Sequence, residues 1–185
     1  MPNKDIDMAV TISDNSGASK QASKQASKQA SKQASKHWET VCFSGEKPDW
    51  ETPDWLFEQL DEEFHFTLDA AASDQNHKCD AYFNEEADGL KHQWHKSTWC
   101  NPPYGRVISK WVEKAVHECE NGNTVVMLLP ARTDTEWFHK WIYKQHEVRF
   151  IKGRVRFSGS QYNAPFPNMI VVMRGNEKDK TENDI

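Results

Sequence analysis

No stretch of this 185-residue chain approaches the roughly 18 consecutive apolar residues that a membrane-spanning helix needs. Residues 1–10 carry Lys4, Asp5 and Asp7 where a secretory signal would be apolar. A soluble, cytoplasmic chain without membrane contact is therefore expected. The four cysteines, Cys42, Cys79, Cys100 and Cys119, form no CxxC pair, which excludes a dense disulfide framework and suits reduced thiols. Lys and Arg are missing altogether from residues 49–69, which hold eight acids, whereas residues 132–156 hold seven of them against three acids. The net charge of -5 thus sums two poles, and only the second suits a polyanion.

Composition and patterning predict one folded unit. A chain with 37% hydrophobic and 28% charged residues fits a single domain of about 100 to 200 residues with polar extensions. Residues 18–36 repeat Ala-Ser-Lys-Gln almost without interruption and contain nothing to bury, so residues 1–36 are expected to be a disordered tail. Its lysines could tether DNA without regard to sequence, or the tail could be idle. The domain is expected over residues 37–174, with a polar tail over 175–185.

Within that domain Thr52 can cap a helix whose first turn holds Pro53 and whose Leu56, Leu60 and Phe64 share one side. Residues 66–69 read as a short strand. Ile108, Trp111, Val112, Ala115, Val116 and Cys119 keep the helical period until Asn121 and Gly122 stop it. Residues 124–129 form a continuous apolar run, the pattern of a strand buried on both faces, ended by Pro130. A helix around Trp137, Phe138, Trp141 and Ile142, capped by Thr133 or Asp134, and strands over 147–151 and 168–173 complete the pattern. This alternation predicts an α/β domain with a mostly parallel sheet flanked by helices, binding its ligand beyond the carboxyl ends of the strands.

The sharpest chemical signal is Asn101-Pro102-Pro103-Tyr104, between a short apolar strand and a helix. A residue before proline is pushed out of helical dihedrals and proline fixes its own φ, so this loop is stiff and Asn101 is held extended. The Asn101 amide oxygen and the Pro102 carbonyl could converge as acceptors on one exocyclic NH2 group, while Tyr104 offers a ring face to a planar base. Such an amine is a poor nucleophile because its lone pair is delocalised. Two acceptors on its hydrogens favour a pyramidal nitrogen and aim the lone pair at an electrophilic methyl group.

Five blocks in order carry a family resemblance: Trp50-Glu51-Thr52-Pro53 with Leu56-Phe57; Phe66-Thr67-Leu68-Asp69-Ala70-Ala71-Ala72; Asp88-Gly89-Leu90 with Trp94; Cys100-Asn101-Pro102-Pro103-Tyr104; and the run from Val125 through Pro130, Ala131 and Arg132 to Thr135. The chain resembles the phage-type DNA N6-adenine methyltransferases of the Dam family. The resemblance implies a Rossmann-like, S-adenosylmethionine-dependent transferase acting on a flipped adenine in duplex DNA, with a short palindrome such as GATC the first target to try. It implies catalytic roles for Asn101, Pro102, Pro103 and Tyr104. It places Asp69, Ala70 and Ala71 at the cofactor, Trp50, Thr52 and Pro53 over its methionine end, and Asp88 near its adenine. The acidic partner of the ribose stays open among Asp80, Glu85 and Glu86. Three alanines stand where many methyltransferases have a glycine-rich turn, and alanine avoids positive φ, so this loop must be built differently.

DNA contacts are expected from loops of the catalytic domain: Arg132 after the buried strand, and Lys152, Arg154 and Arg156, which alternation could place on one face of a hairpin. Surface solubility is the competing explanation for those charges. His77, Cys79, His92 and His95 fall close together, but their spacing is poor for zinc and the chemistry needs no metal. Two further readings remain: methylation of another planar amine, cytosine N4 or a protein glutamine, and a non-catalytic DNA-binding or host-interaction protein that keeps the fold.

Overall fold

The computed structural model describes residues 50–175, all within one compact unit; the expectations for residues 1–49 and 176–185, including the lysine repeat and Cys42, lie outside the described residues. In chain order the elements are α1 (Asp54–Phe64), β1 (Leu68–Asp69), a 3-10 turn (Gly89–Lys91), β2 (Ser97–Cys100), α2 (Ile108–Glu120), β3 (Thr124–Pro130), α3 (Glu136–Trp141), β4 (Glu147–Phe150) and β5 (Asn168–Met173).

The strands form one sheet in the order β1-β2-β3-β5-β4. β1, β2 and β3 pair in parallel, as the helical crossover between β2 and β3 requires. β5 pairs antiparallel with both β3 and β4, so the sheet is mixed: β1 to β4 point one way and β5 alone runs against them. The link from β4 to β5 contains no helix to carry a parallel crossover, and it returns the chain in the opposite direction.

Both faces of the sheet are covered, and β3 shows why its sequence is apolar throughout. Val125, Met127 and Leu129 pack with Ile108, Trp111, Val112, Ala115 and Val116 of α2 and with Phe138 of α3. Val126 and Leu128 point the other way, to Leu56, Phe57, Leu60 and Phe64 of α1 and to Val155 and Phe157. Each fully buried Val or Leu contributes roughly 1.5–3 kcal/mol, which makes this central strand the mechanical base of the fold.

Three local expectations are corrected. The N-cap of α3 is Thr135, not Thr133 or Asp134, and it makes no side-chain cap bond. Thr52 does not cap α1: the N-cap is Pro53, without a side-chain cap bond. The Thr52 hydroxyl is instead an acceptor for Asn101. Nor do residues 152–157 form a hairpin, since no strand occurs between Phe150 and Asn168. Pro165, Pro167 and the positive-φ glycines Gly153 and Gly159 break any ladder there. Alternation survives without it: Arg154 and Arg156 are exposed while Val155 and Phe157 are buried, and the Ala164 N–H donates to the Val155 carbonyl.

Because β1 to β4 are co-directional, the segments after Asp69, Cys100, Pro130 and Phe150 all leave the sheet at one edge, where β5 also begins with Asn168. The candidate chemistry is gathered along that edge.

Candidate active site

Asn101 leaves β2 with both of its amide donors engaged. Its Nδ2 donates to the Trp50 carbonyl at 2.6 Å and to Thr52 Oγ1 at 3.1 Å. A carbonyl accepts only, so the Trp50 contact fixes which way the amide faces. Its Oδ1 is buried and has no hydrogen-bond partner among the described residues. An unmade bond at a buried acceptor costs about 1–3 kcal/mol, so this oxygen lacks the donor that its burial calls for. The neighbouring Cys100 is no nucleophile, because desolvation pushes its thiol well above the ordinary value.

Tyr104 is pinned from below. Its hydroxyl donates to the Leu128 carbonyl of β3 at 3.2 Å and accepts from Asn168 Nδ2 at 3.2 Å. Phe157 and Phe166 meet its ring in T-shaped contacts with centroids 6.3 and 5.6 Å away. Burial raises the phenol's pKa well above its ordinary value, so it stays neutral.

A cavity of about 610 Å³ opens beside Asn101. Trp50, Glu51 and Thr52 border it from the chain before α1, Ala71, Ala72 and Ser73 from the turn after β1, and Asn101, Pro102 and Pro103 from the diproline loop. Asn76, Phe83, Asn84, Glu85, Asp88, Gly89 and Trp111 complete it. Of the sequence-derived candidates, Trp50, Thr52, Ala71, Asp88, Asn101, Pro102 and Pro103 are therefore brought together, whereas Pro53, Asp69, Ala70 and Tyr104 are not among the lining residues. Of the three acids left open for the ribose, Glu85 is the one that borders the cavity.

Asp69 lies beneath this wall. Its carboxylate accepts from the backbone N–H groups of Ala71 and Lys78 at 3.3 and 3.1 Å, bracing the turn that follows β1. Desolvation nevertheless raises its pKa from 3.8 to about 6. The alanine turn is built without positive φ, which outside glycine occurs among the described residues only at His65, Asp88 and Lys144. Close approach is supplied from the opposite wall: a Cβ on Gly89 would lie 2.2 Å from the Ala70 carbonyl oxygen. Asp88 accepts from the Leu90 N–H and pairs with Lys91 at 3.1 Å, which lowers its pKa below the usual value.

Trp50 to Thr52 form a strap over the site. The Trp50 ring packs against Phe157 and Phe166, the Ser158 N–H donates to the Glu51 carbonyl, and Lys78 Nζ reaches Glu51 at 3.4 Å and Asp54 at 2.6 Å. Lys78, Phe157, Phe166 and Asn168 escaped the sequence reading because their partners are remote in the chain and no local period or motif marks them.

Arg132, Lys152, Arg154 and Arg156 all sit exposed on loops at the strand-end edge, joined there by Arg106, which sequence reasoning passed over. Residues 101–107, 131–135 and 151–167 together carry these five bases and one acid, Asp134. None of the five makes an ion pair among the described residues. By contrast Arg149, from the same basic stretch, is spent on Glu63 and Glu147.

Among the described residues no group of three or more side chains is placed to hold a metal ion. His77 stacks on Tyr82 at 4.2 Å, His92 on Phe83 at 4.8 Å, and His95 Nδ1 meets the Thr67 carbonyl. No helix among the described residues is long and apolar enough to cross a membrane.

Comparison with known proteins places the chain in a family. A DNA N-6-adenine-methyltransferase of Escherichia phage T1 is 34% identical over 118 residues, 61% of this chain and 49% of that protein. The chain thus spans about half the length of the curated relative it matches. The family model for DNA N-6-adenine-methyltransferase (Dam) matches residues 39–183, nearly the whole chain beyond the lysine repeat. On that match the chain belongs to the Dam family of DNA N-6-adenine-methyltransferases.

Proposed function

We propose that this chain is a site-specific DNA adenine N6-methyltransferase with a Rossmann-like, S-adenosylmethionine-binding fold. The observation that carries the reading is the buried, unpartnered Oδ1 of Asn101 beside the cavity, with Nδ2 tied back to Trp50 and Thr52.

The cavity suits the cofactor chemically. Its volume of about 610 Å³ lies in the range of about 300–1,000 Å³ typical of small-molecule pockets. Three carboxylates border it, Glu51, Glu85 and Asp88, a fitting set for a ligand that carries a sulfonium and an ammonium group. Phe83 and Trp111 add flat apolar surface for an adenine ring, and Ala71 and Ala72 let the backbone come close. Glu85 would hold the ribose, Asp88 the adenine end, and Trp50 and Thr52 the methionine end. S-adenosylmethionine, when bound, supplies a methyl group activated by sulfonium.

The chain's own residues do the rest. Asn101 Oδ1, with the Pro102 carbonyl, accepts the two hydrogens of the target amine, favouring a pyramidal nitrogen with its lone pair directed into the cavity. Two prolines keep these acceptors from relaxing toward one another or toward water. Tyr104, neutral and pinned, offers its ring to an adenine flipped from the duplex. Arg106, Arg132, Lys152, Arg154 and Arg156 line the edge that the DNA must approach, where phosphate contacts fix register.

Transfer of a labelled methyl group from S-adenosylmethionine to duplex DNA tests the reading, with the product nucleoside identified by mass spectrometry. N6-methyladenine is expected, and Asn101→Ala should reduce the rate by about 100-fold or more, the scale for removing one group that acts in the transition state. Product at cytosine N4 or at a protein glutamine would redirect the assignment. Cofactor binding without methylation of any of the three would favour the non-catalytic reading.

A further inference from the structure

β5 is fully buried, and apolar except for its first residue, Asn168, which is 1% exposed. A buried amide is costly in such a strand unless it serves a partner, and a leucine or methionine would fill the place more cheaply. Asn168 lies in register with Pro130, where the ladder already lacks one donor, and by strand parity it faces the same side as Ile170 and Val172. Its Nδ2 donates to Tyr104 Oη at 3.2 Å, while its Oδ1 has no partner among the described residues. With Nδ2 donating, Tyr104 Oη has its own proton left to give, and gives it to Leu128.

We propose that Asn168 is a positioning residue for the methyl-transfer site, which holds the Tyr104 ring at the tilt needed to receive the flipped base. This inference rests on the adenine-methyltransferase reading and deepens it. The two bonds at Oη set both the depth of the ring and its hydroxyl rotor, and Phe157 and Phe166 restrict rotation about the remaining axis. Asn168 itself touches no reacting atom. Its effect passes through the phenol alone, so the two side chains must act as one unit in any measurement of DNA handling.

That dependence gives the test. Wild type, Asn168→Leu, Tyr104→Phe and the double variant are assayed with duplex DNA that the wild-type chain methylates. Asn168→Leu should raise KM for DNA by about tenfold, the consequence of losing one hydrogen bond's worth of ordering. Cofactor affinity should stay unchanged, which separates positioning from general damage. Tyr104→Phe keeps the ring but loses both bonds at Oη, so it should show at least the same shift. The double variant should be no worse than Tyr104→Phe, which already lacks the bond that Asn168→Leu removes. With 2-aminopurine at the target position, fluorescence anisotropy of the bound probe should fall in all three variants. Additive effects overturn the inference, and so does a Tyr104→Phe enzyme indistinguishable from wild type, a result that stands even if Asn168→Leu does not fold. A wild-type chain that labels no adenine overturns the functional reading and this one with it, whereas an active wild type matched by Asn168→Leu overturns this one alone.

Discussion

At the scale of single residues the site combines a desolvated acid with an unmatched amide, and the acid makes a prediction about pH. Asp69 is buried, and desolvation raises its pKa from 3.8 to about 6 despite two backbone donors. A carboxyl whose pKa is higher in the folded than in the unfolded state stabilises the fold when protonated. That contribution is complete below about pH 4 and is lost as pH rises through about 6, amounting to about 3 kcal/mol. Wild-type stability in urea should therefore carry a component that declines between pH 4 and 6. Asp69→Asn removes the titration, so the wild-type-minus-variant difference should slope downward across this window and flatten above it. A flat difference throughout would mean that Asp69 is solvated in the folded protein. Asn101 was legible in the sequence because Asn-Pro-Pro-Tyr is a local signal of stiffness and hydrogen-bonding capacity. Its orientation was not, since its two acceptors lie 51 and 49 residues away in the chain. The same holds for Asn168, which meets Tyr104 across 64 residues.

At the scale of elements, periodicity was the reliable guide wherever burial enforces it. α2 presents the apolar positions read from its 3.6-residue spacing, and β3 is buried on both faces as its unbroken apolar run required. What failed was chemistry whose outcome depends on competition. Thr52 has a good capping side chain, but Asn101 recruits its oxygen for the site. Residues 152–157 alternate as a strand would, but the prolines and glycines that follow give them no ladder to join. Packing between elements yields a sharper prediction at Gly89, where the 3-10 turn crosses the turn after β1. An added Cβ would sit 2.2 Å from the Ala70 carbonyl oxygen and 3.3 Å from the Trp111 ring. Backbone has to move there, and Trp94, which donates to the Gly89 carbonyl at 2.8 Å, has to move with it. Gly89→Ala should cost about 1–3 kcal/mol by overpacking and weaken S-adenosylmethionine binding, because Gly89 also borders the cavity. Thermal unfolding and calorimetry check both halves. Gly159→Ala is the control: its Cβ meets nothing within 4 Å, so only the strain of φ +72° is felt, away from the cavity.

At the scale of the molecule, an acidic chain can bind a polyanion only if its bases are sorted by position, and here ion pairing does the sorting. Of the bases in the basic stretch, Arg149 is clamped by Glu63 and Glu147, and Lys140 and Lys144 lie over the rings of Trp141 and Tyr143 at 4.2 and 5.2 Å. Arg132, Lys152, Arg154 and Arg156 remain on the strand-end loops with Arg106, while the acids of α1 occupy an element on one face of the sheet. Each phosphate neutralised releases condensed counterions, so log Kd for duplex DNA should rise with log salt by about 0.9 per contact. The lysine repeat of residues 18–36 offers further cations, so the difference between variants is the informative quantity. Arg154→Ala should lower the slope by about one contact, and Arg132→Ala likewise unless that arginine reads a base edge, in which case affinity falls for the target sequence alone. Arg149→Ala supplies the contrast. It should leave the slope intact but lower Tm, because it leaves Glu63, whose pKa Arg149 and then Arg174 hold down at about 2, with Arg174 alone and breaks the tie between α1 and β4. Anisotropy titrations at several salt concentrations decide between rim and scaffold: if Arg149→Ala alters the slope as much as Arg154→Ala does, DNA does not lie along the carboxyl ends of the strands, and the cavity beside Asn101 would face away from its substrate.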